Sequence, residues 1–503
     1  MAHRFVGPGA PGENIYLYRA DRKTKVRQVM WGDFLTIDGA EADGWLRVVW
    51  APRSADPQTL FIPQAHTSEM RPLEIIFVDV GQGDGAVLIT PETGAKERII
   101  VIDAGVGDNM ARFLNGRFKA YAGFSFDAAV ITHPDKDHYY GFKEIFRNTK
   151  IGFRTIYHSG LIERPVPGKF EKLGVSRKDP RNGVVYFHEL ADGREDFEAH
   201  FADAEANGRY DYPEVMHAAL SNPKVKAFAM LSTAHGAIEN GRSFMPGFAP
   251  SDGRGYVIET LGPVVEPAAN GAPRLRKIGD YGETKNGHSI LLRLAFGKFS
   301  VLFGGDLNEK AEKRLLAHYG GVDHFPEPGS PAYRTMIAKA AERLRADVMK
   351  TCHHGSEKVT DAFLEAVNPA AFVISSGDEE GHVHPRPDLL GRLGRFGRGG
   401  APVLLSTELQ RSTREREDRA LLDRIERSLT EAETAAAPDV FAKLRADIKE
   451  LAKTNVDVYG AIYLKTDGEQ LVVAFKIETG SLVKRWFSFR YAVLANGELA
   501  RID

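Results

Sequence analysis

The sequence predicts an α/β fold preceded by a small β-barrel module. Apolar runs without polar alternation, such as 73–80 and 98–105, are typical of strands buried on both faces of a sheet. Short alternating segments separated by turn residues occupy about 14–64 and indicate a small barrel. With 503 residues, 43% of them hydrophobic, the chain can bury large cores. We therefore predict an N-terminal module over 1–68 and a larger domain over 69–503.

Charge and cysteine content restrict the class of protein only loosely. Lys and Arg total 66 against 68 Asp and Glu, so the net charge of -2 neither requires nor excludes a nucleic-acid partner. The one cysteine, Cys352, allows no internal disulfide, which fits a reducing compartment. No leader-like apolar region and no run of 18 apolar residues occurs. We expect a soluble cytoplasmic protein with no membrane contact.

The N-terminal module has about five predicted strands, and residues 1–12 are predicted to form a loose tail. Its order of Leu-Tyr, Trp-Gly-Asp and Gly-Trp-Leu-Arg-Val resembles bacterial SH3-type domains. That resemblance implies a protein or glycan ligand. The alternative is that the module packs against the rest of the chain.

The larger domain begins with strands over 73–80, 86–90 and 98–105, joined by glycine-rich turns. Asp79, Asp84 and Asp103 all lie at strand ends. Asp79 and Asp103 are predicted to support metal ligands from outside the coordination sphere, and Asp103 is the stronger candidate to orient a ligand imidazole. Residues 142–280 lack clear periodicity and are predicted to be an insertion forming one wall of a cleft.

Regular structure is predicted to return with a hairpin beginning near Asn286 and ending at Asp306. Helices, short strands and a charged helical segment are expected beyond it, over 308–318, 332–345, 347–351, 360–367, 371–376 and 408–453. The last 48 residues are strand-rich.

Candidate metal ligands are concentrated in the segment Thr132–His138, which follows the apolar run 128–131. The segment holds two imidazoles and two carboxylates: His133, Asp135, Asp137 and His138. Unpaired charges packed this closely are costly to bury, and histidine with carboxylate is the usual ligand set for Zn and similar ions. A solvated acidic loop is the alternative for any one of these residues. For all four together, the sequence predicts a metal site.

More candidate ligands follow later strands: Asp306, His353, His354 and His384. The total exceeds the four ligands of one tetrahedral Zn, so two ions sharing a bridging carboxylate fit better. Such a pair can lower the pKa of a bridging water to near neutrality. The predicted cofactors are therefore two divalent metal ions.

These motifs occur in the order found in a known fold. Val78-Asp79-Val80-Gly81-Gln82-Gly83-Asp84, the 132–138 segment, Gly305-Asp306, His353-His354-Gly355-Ser356 and His384-Pro385 resemble the metallo-β-lactamase fold. They are most similar to the soluble hydrolase domain of the ComEC competence protein family. The resemblance implies an αββα sandwich over about 73–390. It also implies that His133 and Asp135 hold a first metal, that Asp137, His138 and His384 hold a second, and that Asp306 bridges them.

Two departures from the common pattern affect the ligand set. Asp135 replaces the second histidine of His-x-His-x-Asp-His, and this harder oxygen ligand makes Mn a rival to Zn. The isolated histidine expected before Asp306 is missing; His235 or His288 could supply it, or the 353–354 pair could complete the first site. We assign His353 to metal and His354 to catalysis, together with Asp137.

The resemblance implies a nuclease or phosphodiesterase in which a metal-activated hydroxide attacks DNA or RNA. Phosphate contacts are predicted from Asn286, Ser356 and Lys358, although Ser356 could instead cap the following helix. Four arginines could follow a nucleic-acid backbone or simply form a solvated helix end: Arg386, Arg392, Arg395 and Arg398. The alternatives are a small phosphoester substrate, such as a phosphocholine ester or cyclic nucleotide, and a non-catalytic binding module.

Overall fold

The computed structural model places two sheets face to face with helices on both outer sides. It describes residues 2–41, 43–52, 54–118, 125–166, 169–203, 210–377, 384–407, 419–434, 438–451, 460–476, 481–495 and 499–503.

The first sheet, which we call sheet I, has ten strands within the described ranges. In spatial order they are Val225–Met230, Gly152–His158, Ser125–Ile131, Ile99–Ala104, Gly85–Ile89, Leu73–Phe77, Ile462–Thr466, Gln470–Lys476, Trp486–Val493 and Leu499–Arg501. The four strands from Val225–Met230 to Ile99–Ala104 run parallel. Their carboxyl ends therefore share one edge, the usual position of a ligand site in such sheets.

The second sheet, sheet II, has eight strands in the part of the chain that is described. In order they are Ala237–Glu239, Arg242–Phe244, Tyr256–Gly262, Leu291–Phe296, Phe299–Phe303, Val348–Lys350, Ala371–Ile374 and Val403–Ser406. The last four run parallel, so Phe299–Phe303 and Val348–Lys350 also deliver their following loops to a common edge.

Alternate residues of the central strands enter two different cores, as strands buried on both faces must. Leu73, Ile75 and Phe77 pack towards sheet II, whereas Ile76 and Val78 pack towards the helices outside sheet I. The helices outside sheet I are Asn109–Arg117, Lys136–Tyr139, Phe142–Arg147, Arg194–Phe201 and Asp211–Ser221. Those outside sheet II are Glu309–Gly320, Pro331–Leu344, Asp361–Val367 and Pro387–Phe396. The predicted αββα sandwich is confirmed.

The predicted irregular insertion over 142–280 is instead part of both sheets. It supplies Gly152–His158 and Val225–Met230 to sheet I, and Tyr256–Gly262 to the middle of sheet II. A small separate sheet and hairpin also lie mostly in this region: Ser176–Lys178, Val185–Phe187, Glu266–Pro267 and Pro273–Arg276, with Arg164–Val166 and Lys169–Lys172. Local periodicity missed these strands because they are short and widely separated, and pairing with distant strands decides their conformation.

Asn286 lies in the helix Tyr281–Gly287 rather than at the start of the predicted hairpin. A capping box begins this helix: Asp280 accepts a hydrogen bond from the Glu283 N–H, and Glu283 accepts one from the Asp280 N–H. The Asp-x-x-Glu spacing is visible in the sequence and could have predicted the helix.

The N-terminal module is one antiparallel sheet of seven strands among its described residues. The strands are Ala2–Val6, Ile15–Tyr18, Lys25–Val29, Phe34–Ala40, Trp45–Trp50, Gln58–Pro63 and Thr67–Ser68. The predicted loose tail is thus wrong for 2–6, because Ala2–Val6 pairs with Phe34–Ala40. Met30 and Trp31 pack on the C-terminal strands of sheet I, as the packing alternative required. An SH3-type ligand for the module stays a prediction.

The charged segment at 408–453 forms the helices Arg419–Thr434 and Pro438–Leu451, and its residues 408–418, 435–437 and 452–453 lie outside the described ranges. None of the helices in the described ranges combines the length and the apolar character that a membrane crossing needs.

Glu312 is a buried carboxyl group in the helix Glu309–Gly320. Its Oε2 accepts a hydrogen bond from the Thr360 N–H at 2.5 Å, while Oε1 has no hydrogen-bond partner among the described residues. Burial raises the pKa of Glu312 from 4.5 to about 8, despite the nearby Arg392 guanidinium. The folded protein therefore binds this proton between about pH 4.5 and 8, where the unfolded chain has released it.

We expect this raised pKa to make the folded protein less stable as pH rises. The protonated Glu312 carboxyl makes its full contribution to the free energy of unfolding below pH 4.5, and this contribution is lost as pH rises towards 8. Between pH 5 and 8 the wild type should lose a few kcal/mol relative to Glu312→Gln, since one pKa unit corresponds to about 1.4 kcal/mol. Urea denaturation at both pH values measures this difference, with Glu309→Gln on the exposed side of the same helix as control. Parallel pH profiles of wild type and Glu312→Gln would contradict it.

Candidate metal centre

The candidate site lies where the carboxyl ends of parallel strands from both sheets meet. The strand Ser125–Ile131 leads into Thr132 and His133, and Phe299–Phe303 leads to Asp306. Val348–Lys350 leads to His353 and His354. The first loop lies far from the other two along the chain, and it becomes their neighbour because the two sheets pack face to face.

Four buried side chains form what we call the buried cluster: Asp84, His138, Asp306 and His354. Each offers one ligand-type atom, and these atoms lie within 4.8 Å of one another. Nε2 of His354 is 3.1 Å from Asp306 Oδ2, and Nε2 of His138 is 3.3 Å from Asp306 Oδ1. Asp306 therefore lies between the two imidazoles.

His138 is held in place through its other ring nitrogen. Its Nδ1 lies 2.8 Å from Asp103 Oδ2. Thr132 fixes this carboxylate by donating hydrogen bonds from its N–H and its hydroxyl, at 2.8 and 2.7 Å. Asp103 thus has the contact predicted for a residue that orients a ligand imidazole. Its positive φ of 53° is a strained conformation of the kind that collects at functional sites.

The tautomer of His133 follows from Ser289. The Ser289 hydroxyl donates its proton to the Asn286 carbonyl at 2.7 Å, so it can only accept from His133 Nδ1, 3.2 Å away. His133 Nδ1 therefore carries the proton, and Nε2 keeps the lone pair that a metal needs. Ser289 also accepts a hydrogen bond from the Asp306 N–H at 3.0 Å, which links the two ligand loops. No role was predicted for Ser289 from the sequence.

The unpaired atoms of the site fit a divalent metal ion. Nε2 of His133, His138 and His354 and Oδ1 of Asp306 are buried and make no hydrogen bond with any described residue. Each such atom costs about 1–3 kcal/mol unless something satisfies it. Imidazole nitrogens with carboxylate oxygens are a common donor set for Zn and Mn. The residues present therefore fit the ion that the sequence predicts.

Electrostatics within the buried cluster couple the imidazoles to the carboxylates. Burial disfavours a charged His138, but Asp306 and Asp103 raise its pKa well above the ordinary value. Likewise, Asp306 and Asp84 outweigh burial and raise the pKa of His354. Binding of an ion requires neutral imidazoles, so metal uptake should release protons and weaken as pH falls.

The predicted ligands of the second metal lie at or beside the buried cluster. Asp137 Oδ2 is 3.4 Å from His354 Nε2, and Asp137 Oδ1 is 3.9 Å from His138 Nε2. The ring of His384 lies farther out, with its centroid 6.4 Å from that of His354 and 5.9 Å from that of His353.

The structure exchanges the positions expected for His353 and His354. His354 enters the buried cluster, whereas the His353 side chain is 25% exposed and its Nε2 is 3.8 Å from Asp306 Oδ2. Left-handed backbone at His353, His354 and Gly355, with φ of 50°, 54° and 88°, decides which ring points inwards. Sequence spacing contains no signal for that choice.

Asp135 and Asp79 also differ from their predicted positions. Asp135 begins the helix Lys136–Tyr139, and its Oδ1 forms an ion pair with Lys285 Nζ at 3.0 Å, outside the buried cluster. Asp79 accepts a hydrogen bond from the Gly81 N–H at 3.1 Å, and Gly460 packs against its carboxylate. These contacts place Asp79 in the turn 79–81.

Asp84 joins the buried cluster although no ligand role was predicted for it. Its Oδ1 is 3.0 Å from His354 Nδ1, and its Oδ2 forms an ion pair with the buried Lys350. The Lys350 ammonium also donates a hydrogen bond to the Gly305 carbonyl at 3.2 Å. The sequence did contain a signal for this role of Asp84. A carboxylate lies in a glycine-rich turn, and far along the chain a lysine precedes two histidines.

A cleft of about 450 Å³ opens beside the buried cluster. Its lining includes all three predicted phosphate contacts and two of the histidines: Asn286, Ser356, Lys358, His353 and His384. Thr360, not Ser356, caps the following helix, since its hydroxyl accepts from the Phe363 N–H at 3.2 Å.

Several basic and imidazole side chains near the site have structural partners instead. Arg392 and Arg398 form ion pairs with Asp361 and Asp347 at 2.6 and 2.7 Å, which favours the helix-end interpretation for both. The two histidines considered as the missing ligand also lie elsewhere. His288 Nε2 is 2.7 Å from the Arg276 carbonyl oxygen, and His235 Nδ1 is 2.7 Å from the Ser232 hydroxyl.

Comparison with known proteins identifies one matching family. The family model of the metallo-beta-lactamase superfamily matches residues 86–353, more than half of the chain. Competence protein ComA of Neisseria gonorrhoeae is 31% identical over 113 residues, covering 22% of this chain and 13% of that protein. ComE operon protein 3 of Bacillus subtilis (strain 168) is 27% identical over 113 residues, covering 22% and 12%. The chain thus spans about an eighth of the length of these curated relatives.

Two solved structures overlap with the chain at low similarity. One is a metal-dependent hydrolase of the beta-lactamase superfamily, with a TM-score of 0.30, 11% identity, and coverage of 66% of this chain and 95% of that chain. The other is a metallo hydrolase from the hyperthermophilic archaeon Ignicoccus hospitalis, with a TM-score of 0.30, 14% identity, and coverage of 67% and 95%.

Proposed function

The chain belongs to the metallo-beta-lactamase superfamily, and we propose that it is a metal-dependent phosphodiesterase that cleaves DNA or RNA. The observation that carries this proposal is the set of unpaired, inward-facing nitrogens and oxygens beside a cleft with phosphate-binding side chains. A divalent ion bound there, Zn or Mn, supplies a Lewis acid and lowers the pKa of water.

The residues of the site have three roles: some would hold the ion, some orient its imidazole ligands, and some would take part in the reaction. His133, His138, His354 and Asp306 would hold the ion. Asp103 orients His138 through Nδ1, and the Ser375 carbonyl, 3.2 Å from His354 Nδ1, orients His354 together with the nearby Asp84 carboxylate. This arrangement keeps each Nε2 directed at the ion position and restricts the freedom of the rings before substrate arrives.

Asp137 is placed to accept a proton from the attacking water. Its carboxylate lies beside the Nε2 atoms of His138 and His354. Burial opposes its ionisation, but these imidazoles hold the pKa of Asp137 well below its usual value. An ionised carboxylate in this position can serve as a general base at neutral pH.

The cleft beside the ion position favours an anionic phosphoryl substrate. The Lys358 ammonium, the Ser356 hydroxyl and the Asn286 amide are donors suited to phosphate oxygens. His353 lines the same cleft, with Nε2 3.8 Å from Asp306 Oδ2, so it can donate a hydrogen bond to a phosphate oxygen or protonate the leaving group. The resemblance to the ComEC family, which implies a nuclease, supports a nucleic-acid substrate, and local similarity to Competence protein ComA and ComE operon protein 3 agrees with that resemblance.

The size of the cleft favours the second candidate function. About 450 Å³ lies within the range of pockets for small ligands. A small phosphoester, such as a cyclic nucleotide or phosphocholine ester, is therefore the alternative substrate.

A direct cleavage assay tests the proposal. Purified protein loaded with Mn or Zn is incubated with linear DNA, RNA and bis-p-nitrophenyl phosphate. We expect metal-dependent cleavage that falls by at least about 100-fold in Asp306→Ala and His133→Ala, since even outer partners of metal ligands contribute about 10–100-fold. Glu342→Gln, a change at an exposed position of the helix Pro331–Leu344 that does not line the cleft, is the control. Cleavage of none of the three substrates would refute the proposal, and cleavage of the small diester alone would favour the alternative.

A further inference from the structure

We infer that the ammonium group of Lys285 takes the place of the predicted first metal ion, so that this protein binds one divalent ion tightly and a second one only weakly. The inference rests on the metal-binding part of the proposed function. It concerns the number of ions and is independent of which substrate is cleaved.

The predicted ligands of the first metal do not come together around one position: the His133 ring lies against His138 of the buried cluster, with 4.1 Å between ring centroids, whereas Asp135 is paired elsewhere. Those ligands are His133, Asp135 and His353. Within the described residues, ligand-type atoms converge only in the buried cluster, which contains none of the three. Asp135 Oδ1 lies 3.0 Å from Lys285 Nζ, and it also accepts a hydrogen bond from the Lys136 N–H at 2.9 Å. The carboxylate expected to bind a metal is therefore paired with a lysine.

Lys285 is held in this position by more than Asp135. Its side chain is only 10% exposed, which is rare for a lysine without a defined role. Nζ lies 3.9 Å from Glu163 Oε1 and 5.1 Å from the centroid of the Tyr281 ring. The Tyr281 hydroxyl in turn donates a hydrogen bond to Glu163 at 2.8 Å. Two carboxylates and an aromatic face thus surround the ammonium group.

The backbone that carries Lys285 is tied to the metal centre itself. Lys285 lies in the capped helix Tyr281–Gly287, and the carbonyl of the next residue, Asn286, accepts the hydroxyl proton of Ser289. Ser289 contacts both His133 and Asp306. The helix therefore sets the position of Lys285 relative to the candidate ligands.

The Lys285 ammonium beside Asp135 affects the binding of a second ion in two ways. It neutralises the carboxylate that would attract the ion, and it repels a dication at short range. Both effects lower the affinity of the first-metal position. The buried cluster keeps its own carboxylates, Asp84 and Asp306, and retains the tight site.

Titration with Mn²⁺, followed by calorimetry and native mass spectrometry, tests the inference. The wild type should bind one equivalent tightly and a second at least about tenfold more weakly. In Lys285→Met, which keeps the length of the side chain without its charge, the second equivalent should bind at least about tenfold more tightly. Lys310→Met is the matched control, because Lys310 is also paired with a carboxylate, Glu283 at 2.7 Å, away from the buried cluster.

A second variant keeps the inference testable if Lys285→Met does not fold. Asp135→Asn should keep the one tight equivalent, because Asp135 lies outside the buried cluster. Two equally tight ions in the wild type, or loss of the tight ion in Asp135→Asn, would overturn the inference. Weaker binding of the second ion in Lys285→Met would also overturn the inference, because it would mean that Lys285 positions Asp135 to act as a metal ligand. A protein with two tight ions that still cleaves phosphodiesters would refute this inference and leave the proposed function intact.

Discussion

Replacing His354 by alanine is expected to abolish tight metal binding and to reduce phosphodiester cleavage by at least about 100-fold. His354 is fully enclosed in the buried cluster, with Nε2 3.1 Å from Asp306 Oδ2 and Nδ1 3.0 Å from Asp84 Oδ1. Its removal deletes a donor and also leaves the Asp84 carboxylate without its imidazole partner. Metal content after dialysis and cleavage of bis-p-nitrophenyl phosphate measure the two effects.

His353→Ala is the matched comparison, because it removes the same side chain from the adjacent position. The His353 ring lines the cleft and is partly exposed, so this variant should keep its tight metal ion. Its kcat should still fall by about 100-fold, the usual contribution of a positioned acid or hydrogen-bond donor. The reverse pattern, with metal lost from His353→Ala and kept by His354→Ala, would restore the assignment made from the sequence.

The sequence predicted the elements whose chemistry is local. The strand Ser125–Ile131 ends in the apolar run 128–131, and the ligands follow directly at its carboxyl end, so the motif and its position could both be predicted. Asp103 was also identified, from its position at a strand end, and the structure shows that its strand is the parallel neighbour of Ser125–Ile131.

The features that sequence missed depend on side-chain direction or on distant contacts. The inward position of His354 follows from three left-handed residues, which no spacing rule predicts for histidine. The pairing of Asp135 with Lys285 joins residues 150 positions apart on different elements. The strands of 142–280 become regular only by pairing with distant partners. In each case, the deciding interaction lies outside the window in which a sequence pattern can be seen.

The buried ion pair of Lys350 and Asp84 is expected to give the largest effect on stability. Both side chains are almost completely buried, and Lys350 Nζ also lies 3.9 Å from Asp306 Oδ1. Lys350→Met leaves the carboxylates facing one another without this cation. Removing one partner of a buried pair costs about 3–5 kcal/mol, because the remaining charge is uncompensated. Urea denaturation of the metal-free protein measures this loss without a contribution from bound ion.

The double variant Asp84→Asn/Lys350→Met separates the charge effect from a packing effect. If the loss in Lys350→Met comes from the uncompensated Asp84 carboxylate, neutralising Asp84 should recover a large part of the free energy of unfolding. Lys298→Met is the control, since it breaks an exposed pair with Glu469 that should contribute less than about 1 kcal/mol. Additive losses in the double variant would show that Lys350 acts by packing. A recovery would mean that the lysine compensates the negative charge of the cluster before any metal ion binds.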